Sequence, residues 1–456
     1  MTKAATTNRS DASGPTAPEV TRPEGPPADL SEELTGGKGM FLADSITGIR
    51  LPKGWTQTER VAAGTAHAYQ AKGELGADGR YDLAEDPAKE ADYRTRVVVR
   101  RPPPAEFNGT IVVEWLNVSG GVDANPDYLL TREELFRRGY AWVGVSAQRI
   151  GVEGGEVAVK VDVPGAGDII GKGLKGIDPD RYGSLDHPGD AFSYDLYTQV
   201  GRALRAGRRG GPLGDLRPER ILAVGESQSA FALTTYVDGV QPLTKAFDGF
   251  LVHSRGGAGL GLGEAGKAMD IAGAIGGTAT KIRTDLDVPV LIAETETDLF
   301  SLIGYYPARQ ADSENIRLWE MAGTAHVDAT LLGPVASQVD SGVPINDGPQ
   351  HFVVKAALPA LDTWVRTGDA PPKAPRLKAV GGTETGSGGG GGGGGKVAAD
   401  RDADGIALGG IRTPVVDVPV DVLSSEPGPS PSVICLLLGS TRPLPDARLA
   451  LLLPVA

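Results

Sequence analysis

The chain reads as an α/β protein with a mostly parallel central sheet flanked by helices, and three observations predict this. Apolar runs alternate with helical stretches at the spacing of strand–helix–strand units, as in residues 110–116 (TIVVEWL), 128–138 and 140–146 (YAWVGVS). Further short apolar runs follow at 247–253, 288–293 and 316–321, each read as a strand. Finally, residues 220–233 (RILAVGESQSAFAL) carry an apolar run to a glycine, place a serine two residues later, and continue with small and apolar residues. That is the pattern of strand, sharp turn and helix.

The elements can be justified in order. Residues 65–73 and 93–101 alternate or run β-branched and are expected as two early strands. Asn108-Gly109 is a turn signal before the buried strand at 110–116, and Asn117-Val118-Ser119-Gly120-Gly121 follows it as a loop. Residues 148–189, with a charged hairpin-like piece at 156–164, break the alternation and read as an insertion over one end of the sheet. Residues 190–208 form a helix leading into the 220–225 strand, and 254–287 are a second glycine-rich insertion. Apolar residues at helical spacing in 353–366 (VVKAALPALDTWVR) close the core.

This organisation predicts a disordered tail at 1–37, a main domain at 38–380 with cap insertions at 148–189 and 254–287, a flexible linker at 381–399, and a segment at 400–456 packed back on the body. The linker contains eight consecutive glycines, 388–395, which hold no single conformation cheaply. The 456 residues carry 45 Lys and Arg against 58 Asp and Glu, a formal charge of −13 without a basic cluster, which disfavours nucleic acid as a partner. One cysteine, Cys435, excludes an intramolecular disulfide framework and a cysteine-based metal cluster. The apolar runs at 433–438 and 449–456 are short of the roughly 20 residues a membrane helix needs, and no secretory apolar core is visible near the start. The expected setting is the cytoplasm, without a membrane partner.

A serine hydroxyl near neutral pH needs a base in hydrogen-bond reach, a carboxylate to orient that base, and donors for an oxyanion. After Ser227 the histidines are His253, His326 and His351. His326 follows an apolar run and a glycine loop (WEMAGTAHVD), a context that presents a ring, and it is preferred as the base. His351 opens the last helix and His253 ends a buried strand; both suit structural roles better. Past the 288–293 strand stand Glu294, Glu296 and Asp298, of which Asp298 is placed in the loop beyond the strand and preferred as the acid, with Glu296 next. Oxyanion donors are expected from the backbone of Gln228 and from the loop after the 110–116 strand, where Asn117, Val118 and Ser119 are the choices.

These stretches resemble the α/β-hydrolase superfamily, and more closely its group of α/β hydrolase domain-containing proteins. The resemblance is carried by VEWLNVSGG (113–121), YAWVGVSAQ (140–148), HPGDAFSYD (187–195), VGESQSA (224–230), AGTAHVD (322–328), INDGPQH (345–351) and DADGIALGGIRTP (402–414). The fifth elbow position is Ser229 where the usual pattern has glycine. The resemblance implies an α/β-hydrolase fold and an esterase-type serine hydrolase needing no metal or organic cofactor. His187, Ser193 and Asp195 are read as helix-start or pocket-shaping residues. An acyltransferase, thioesterase or peptidase, or a non-catalytic binding protein on the same scaffold, are the alternatives.

Two further patterns carry less weight. Asp400-Arg401-Asp402-Ala403-Asp404-Gly405 matches the first half of a calcium loop, but its twelfth position is Ile411 where a bidentate glutamate belongs, so a plain acidic turn is expected. Gly261–Gly266 matches a dinucleotide fingerprint but sits inside an insertion instead of at a strand's end, and is expected as a mobile lid segment.

Overall fold

A computed structural model describes residues 22, 24–40, 50–158, 166–207, 211–381 and 397–452. The glycine run, residues 1–21 of the expected tail and most of the 156–164 piece lie outside them. The sheet has eight strands: β1 (Thr56–Ala71), β2 (Leu83–Arg101), β3 (Thr110–Trp115), β4 (Ala141–Val145), β5 (Arg220–Glu226), β6 (Gly249–His253), β7 (Val290–Thr295) and β8 (Ile316–Met321). Their order is β1-β2-β4-β3-β5-β6-β7-β8. The pairs β1–β2 and β2–β4 are antiparallel and all others parallel.

The parallel strands are apolar on both faces because each face is covered. Alternate residues point opposite ways. Val112, Trp142, Val224, Leu251 and Leu291 meet α1 (Pro126–Arg138) and the long C-terminal helix at Gln350–Thr367. On the other face, Ile111, Val113, Ala223, Val252 and Ile292 share a core with α2 (Ser193–Ala206) and α3 (Gln228–Thr235). The first helix starts with Pro126 and ends at Gly139 in the left-handed region, as its sequence favours.

Both early strands begin well before the expected 65–73 and 93–101. Only Val97–Arg100 of β2 pair with β4, so the first half of β2 and its β1 partner form a two-stranded ribbon with solvent on much of its surface. A charged stretch such as LAEDPAKEAD therefore sits in a strand that apolar alternation does not reveal.

Residues 24–37, expected as disordered, are a correction. Asp29 and Glu33 bridge to Ala63 and Arg60 of β1, and Ala28, Leu30 and Leu34 are buried. Three apolar side chains with backbone partners outweigh a Pro- and Glu-rich composition. At the other end, Met321 bridges in parallel to Ile411, and Ile411 N–H donates to Glu320 O at 2.6 Å, so residues 397–452 continue the packing at the β8 edge. No helix among the described residues is long and apolar enough to cross a membrane.

Candidate active site

The carboxyl ends of β3, β5, β6, β7 and β8 converge where parallel sheets of this kind bind ligands. Ser227 follows β5 directly, with φ 59° and ψ −123°, a left-handed conformation rarely adopted by a residue with a side chain. Its N–H donates to His253 O at 3.0 Å, which pins the turn to the end of β6. The turn is tight enough that a Cβ on Gly225 would lie 3.0 Å from the Ser229 Cβ. Serine at the fifth position is accommodated because Gly225 yields the space.

His326 lies beyond β8, after Gly323 in the left-handed region. Its Nε2 is 2.7 Å from Ser227 Oγ and its Nδ1 is 2.6 Å from Asp298 Oδ1. Asp298 does not sit in an open loop, as expected. It occupies the third position of a helical turn, α4 (Glu296–Phe300), where its Oδ2 accepts the Thr295 N–H at 2.6 Å and Thr295 Oγ1 accepts the Asp298 N–H at 3.2 Å. This capping box fixes the carboxylate before the histidine arrives.

The electrostatics follow from that geometry. Burial alone would raise Asp298, but the His326 ring and the bonds from Thr295 outweigh it and hold the carboxyl below its usual range. Burial would lower His326, and the Asp298 and Glu226 carboxylates reverse this to raise it. Of the other two acids, Glu296 is committed elsewhere: it accepts N–H bonds from Gly323 (2.9 Å) and Ser425 (3.0 Å) and pairs with Arg401. Glu294 is fully buried in β7, where burial and then the Asp298 charge push it well above its usual value.

The loop after β3 departs from expectation. Asn117 N–H donates to the backbone Ala124 O at 2.9 Å, which takes it out of the oxyanion position, and Ser119 N–H donates to the side-chain Oδ1 of Asn117 at 2.9 Å. The reason is that the loop closes on itself as an antiparallel bridge between Asn117 and Ala124. Val118 N–H donates to the side-chain Oε1 of Gln228 at 3.2 Å, and Gln228 N–H lies at the first position of α3 without an intrahelical acceptor. Asn117 instead uses its side chain, donating from Nδ2 to Glu226 O (3.1 Å) and Glu226 Oε2 (3.3 Å).

Ser227 and His326 form part of the wall of a cavity of about 300 Å³. Its remaining wall is mainly aliphatic and is drawn from distant segments: Ile169 and Ile170 from the first insertion, Ile271 and Ile275 from the second, and Ile434 and Leu437 from the C-terminal segment. Both insertions thus contribute to the cavity wall. The contribution of residues 434–437 carries no local sequence signal, since it depends on a chain returning from beyond the glycine linker.

The remaining sequence candidates fall elsewhere. His253 is fully buried, with Nδ1 2.9 Å from Asp127 Oδ1 and Nε2 3.3 Å from Gln350 Nε2. His351 lies against Phe352 with ring centroids 4.0 Å apart and the rings tilted by 40°, and is absent from the cavity wall. His187 bonds Ala147 O, Ser193 bonds Asp190, and Asp195 accepts from His67 N–H and Gln199; these hold α2 against the sheet. In the 400–405 stretch, Asp402 caps its own turn and Asp404 pairs with Arg448. No group of three or more His, Cys, Asp or Glu among the described residues is placed to hold a metal ion. The 261–266 segment packs on residues 188–194, with Gly266 N–H bonded to Pro188 O and the Tyr194 hydroxyl to Gly261 O.

A comparison with curated proteins finds no significant match. Among solved structures, the chain is similar to fungal esterases from Rhizomucor miehei at 13% identity, covering 71% of this chain and 87% of that one with a TM-score of 0.37. It is similar to a thermostable esterase from Pseudomonas putida at 12% identity, covering 69% and 84% with a TM-score of 0.35. An alpha-beta serine hydrolase homologue from Coxiella burnetii aligns at 13% identity over 60% and 95%, with a TM-score of 0.31. The sequence also matches the family described as alpha/beta hydrolase domain over residues 24–455. With a match of that extent over an eight-stranded, mostly parallel sheet, the chain belongs to the alpha/beta hydrolase domain family.

Proposed function

We propose that the protein is a serine hydrolase that cleaves a carboxylic ester through a covalent acyl-enzyme. The observation that carries this reading is the continuous hydrogen-bonded line from Ser227 Oγ through His326 to Asp298, opening on an aliphatic cavity. His326 takes the serine proton as the oxygen attacks the carbonyl carbon, and Asp298 holds the ring with Nδ1–H directed at itself. The tetrahedral oxyanion takes a hydrogen bond from Gln228 N–H. A second comes from Val118 N–H once it parts from the Gln228 side chain, a buried amide whose Nε2 is held by Gln148 Oε1. His326 returns the proton to the leaving oxygen, and water then attacks the acyl-enzyme by the same route.

The aliphatic wall supports a neutral ester with an apolar chain as the substrate class. A fluorophosphonate probe and a series of p-nitrophenyl esters test the reading. Labelling of the native protein that disappears in Ser227→Ala is expected, together with hydrolysis of the apolar esters. Labelling that survives that substitution overturns it. Absence of labelling in the native protein favours a binding protein on the same scaffold, and faster transfer to added alcohols, amines or thiols than to water favours an acyltransferase. The expected setting is the cytoplasm, which cell fractionation checks.

A further inference from the structure

Glu226 stands between Gly225 and Ser227 and is only 3% exposed, yet it forms part of the cavity wall. Its Oε2 accepts from Asn117 Nδ2 at 3.3 Å. Its Oε1 is buried, has no hydrogen-bond partner among the described residues, and lies 3.5 Å from His326 Nε2. A carboxyl kept only for packing is ordinarily bonded at both oxygens, because an unpaired buried acceptor costs stability. Here the free oxygen points at the nitrogen that must become positively charged during acyl transfer. Asn117 grips both the backbone carbonyl and the side chain of the same residue.

We propose that Glu226, held by Asn117, is a second carboxylate for His326, acting on the Nε2 side of the ring while Asp298 acts on the Nδ1 side. This deepens the hydrolase reading and rests on it. Glu226 exchanges no proton with the substrate: the Ser227 proton passes to His326 Nε2 and from there to the leaving oxygen. The carboxylate stabilises the imidazolium that exists between those two transfers. It is a positioning residue, working through His326.

The groups facing it are consistent with a carboxyl that is charged in the active form and neutral below it. Burial raises Glu226 to about 7, opposed by His326 and His253 and assisted by Asp127 and Asp298. At higher pH the carboxylate is present and raises the basicity of His326; at lower pH the neutral acid supports it less. Removing the charge therefore lowers the rate plateau and also lowers the pH at which His326 becomes a free base.

The test is the pH dependence of kcat/KM for the full chain with a p-nitrophenyl ester, in the native protein and in Glu226→Gln. The expected result is a plateau about ten-fold lower, with the acid limb displaced to lower pH by about one unit, the equivalent of a ten-fold change in ionisation. Glu226→Asp, which keeps the charge, is expected to keep the native limb. A limb in Glu226→Gln that coincides with the native one overturns the inference, whatever happens to the plateau. Should that variant not fold, the native profile decides: two coupled ionisations in its acid limb support the inference, and a single ionisation overturns it. A native protein that neither labels with fluorophosphonate nor hydrolyses esters overturns the hydrolase reading and this inference together, whereas an active native protein with an unmoved variant limb removes the inference alone.

Discussion

The molecule contains two buried histidine–aspartate pairs that look alike from the Nδ1 side. In one, His326 meets Asp298 at 2.6 Å; in the other, His253 meets Asp127 at 2.9 Å. In both, burial would lower the ring and the surrounding carboxylates, the partner first and Glu226 after it, together raise it. What separates them is the other nitrogen. His326 Nε2 faces a serine hydroxyl on a turn at a cavity wall, while His253 Nε2 faces the Gln350 amide inside the protein. An aspartate-backed imidazole is thus not by itself a base for catalysis; the proton donor opposite it and the access to substrate decide its use.

The comparison breaks most decisively at the serine. Ser227→Ala is expected to lower kcat by about a million-fold, the scale seen when a nucleophile acting as part of a unit is removed, with the protein still folded by circular dichroism. Asp298→Asn follows, with a loss of about 10⁴-fold in kcat because the amide stabilises the wrong tautomer of His326. Asp127→Asn at the other pair is expected to cost stability instead: about 3 kcal/mol, since it leaves the buried His253 ring without its carboxylate partner, with kcat of the folded fraction within about ten-fold of native. Thermal unfolding and active-site titration separate the two outcomes. An Asp127 variant that stays stable but loses the larger factor would make the second pair part of the chemistry.

Why some of this is legible in the sequence and some is not can be argued from the same residues. Ser227, Asp298 and His326 each follow a short apolar strand, and parallel strands bring their carboxyl ends to one edge, so chain order and spacing suffice to group them. Glu226 is different, because the residue before the serine is unconstrained by the strand–turn–helix pattern and its orientation emerges only when Asn117 folds under it. Asn117 itself is misread for a related reason: whether a loop N–H is free depends on how the loop closes, here on Ala124 seven positions along. Glu296 looked like a second candidate acid until Arg401, far along the chain, claimed it. The unread parts are those in which a folded partner, near along the chain as Ala124 or far as Arg401, decides how a group is used.

The aliphatic wall offers a smaller and more selective change. Leu437 enters the cavity from the C-terminal segment, and its carbonyl accepts the Val327 N–H at 3.0 Å, next to His326. Leu437→Trp is expected to shorten the cavity and shift the ratio of kcat/KM for butyrate over decanoate esters by about ten-fold toward butyrate, within the range that a few methylenes carry in an apolar pocket. An unchanged ratio would place the acyl chain along the Ile169 and Ile271 side of the wall instead.

His351→Ala is the mildest change and tests the comparison from a third histidine. His351 opens the Gln350–Thr367 helix one residue after the glutamine that meets His253, so it is adjacent in sequence to the second pair without being part of it. Burial and then the Lys355 charge hold its ring below the usual histidine value, and its Nδ1 has no hydrogen-bond partner among the described residues. Its contact is the Phe352 ring. Replacing it should change kcat/KM by no more than about two-fold, the spread expected of a substitution away from buried networks. If activity instead falls by orders of magnitude while His326→Ala stays active, the base is His351, and the bond between His326 and Ser227 is a resting contact with no part in proton transfer.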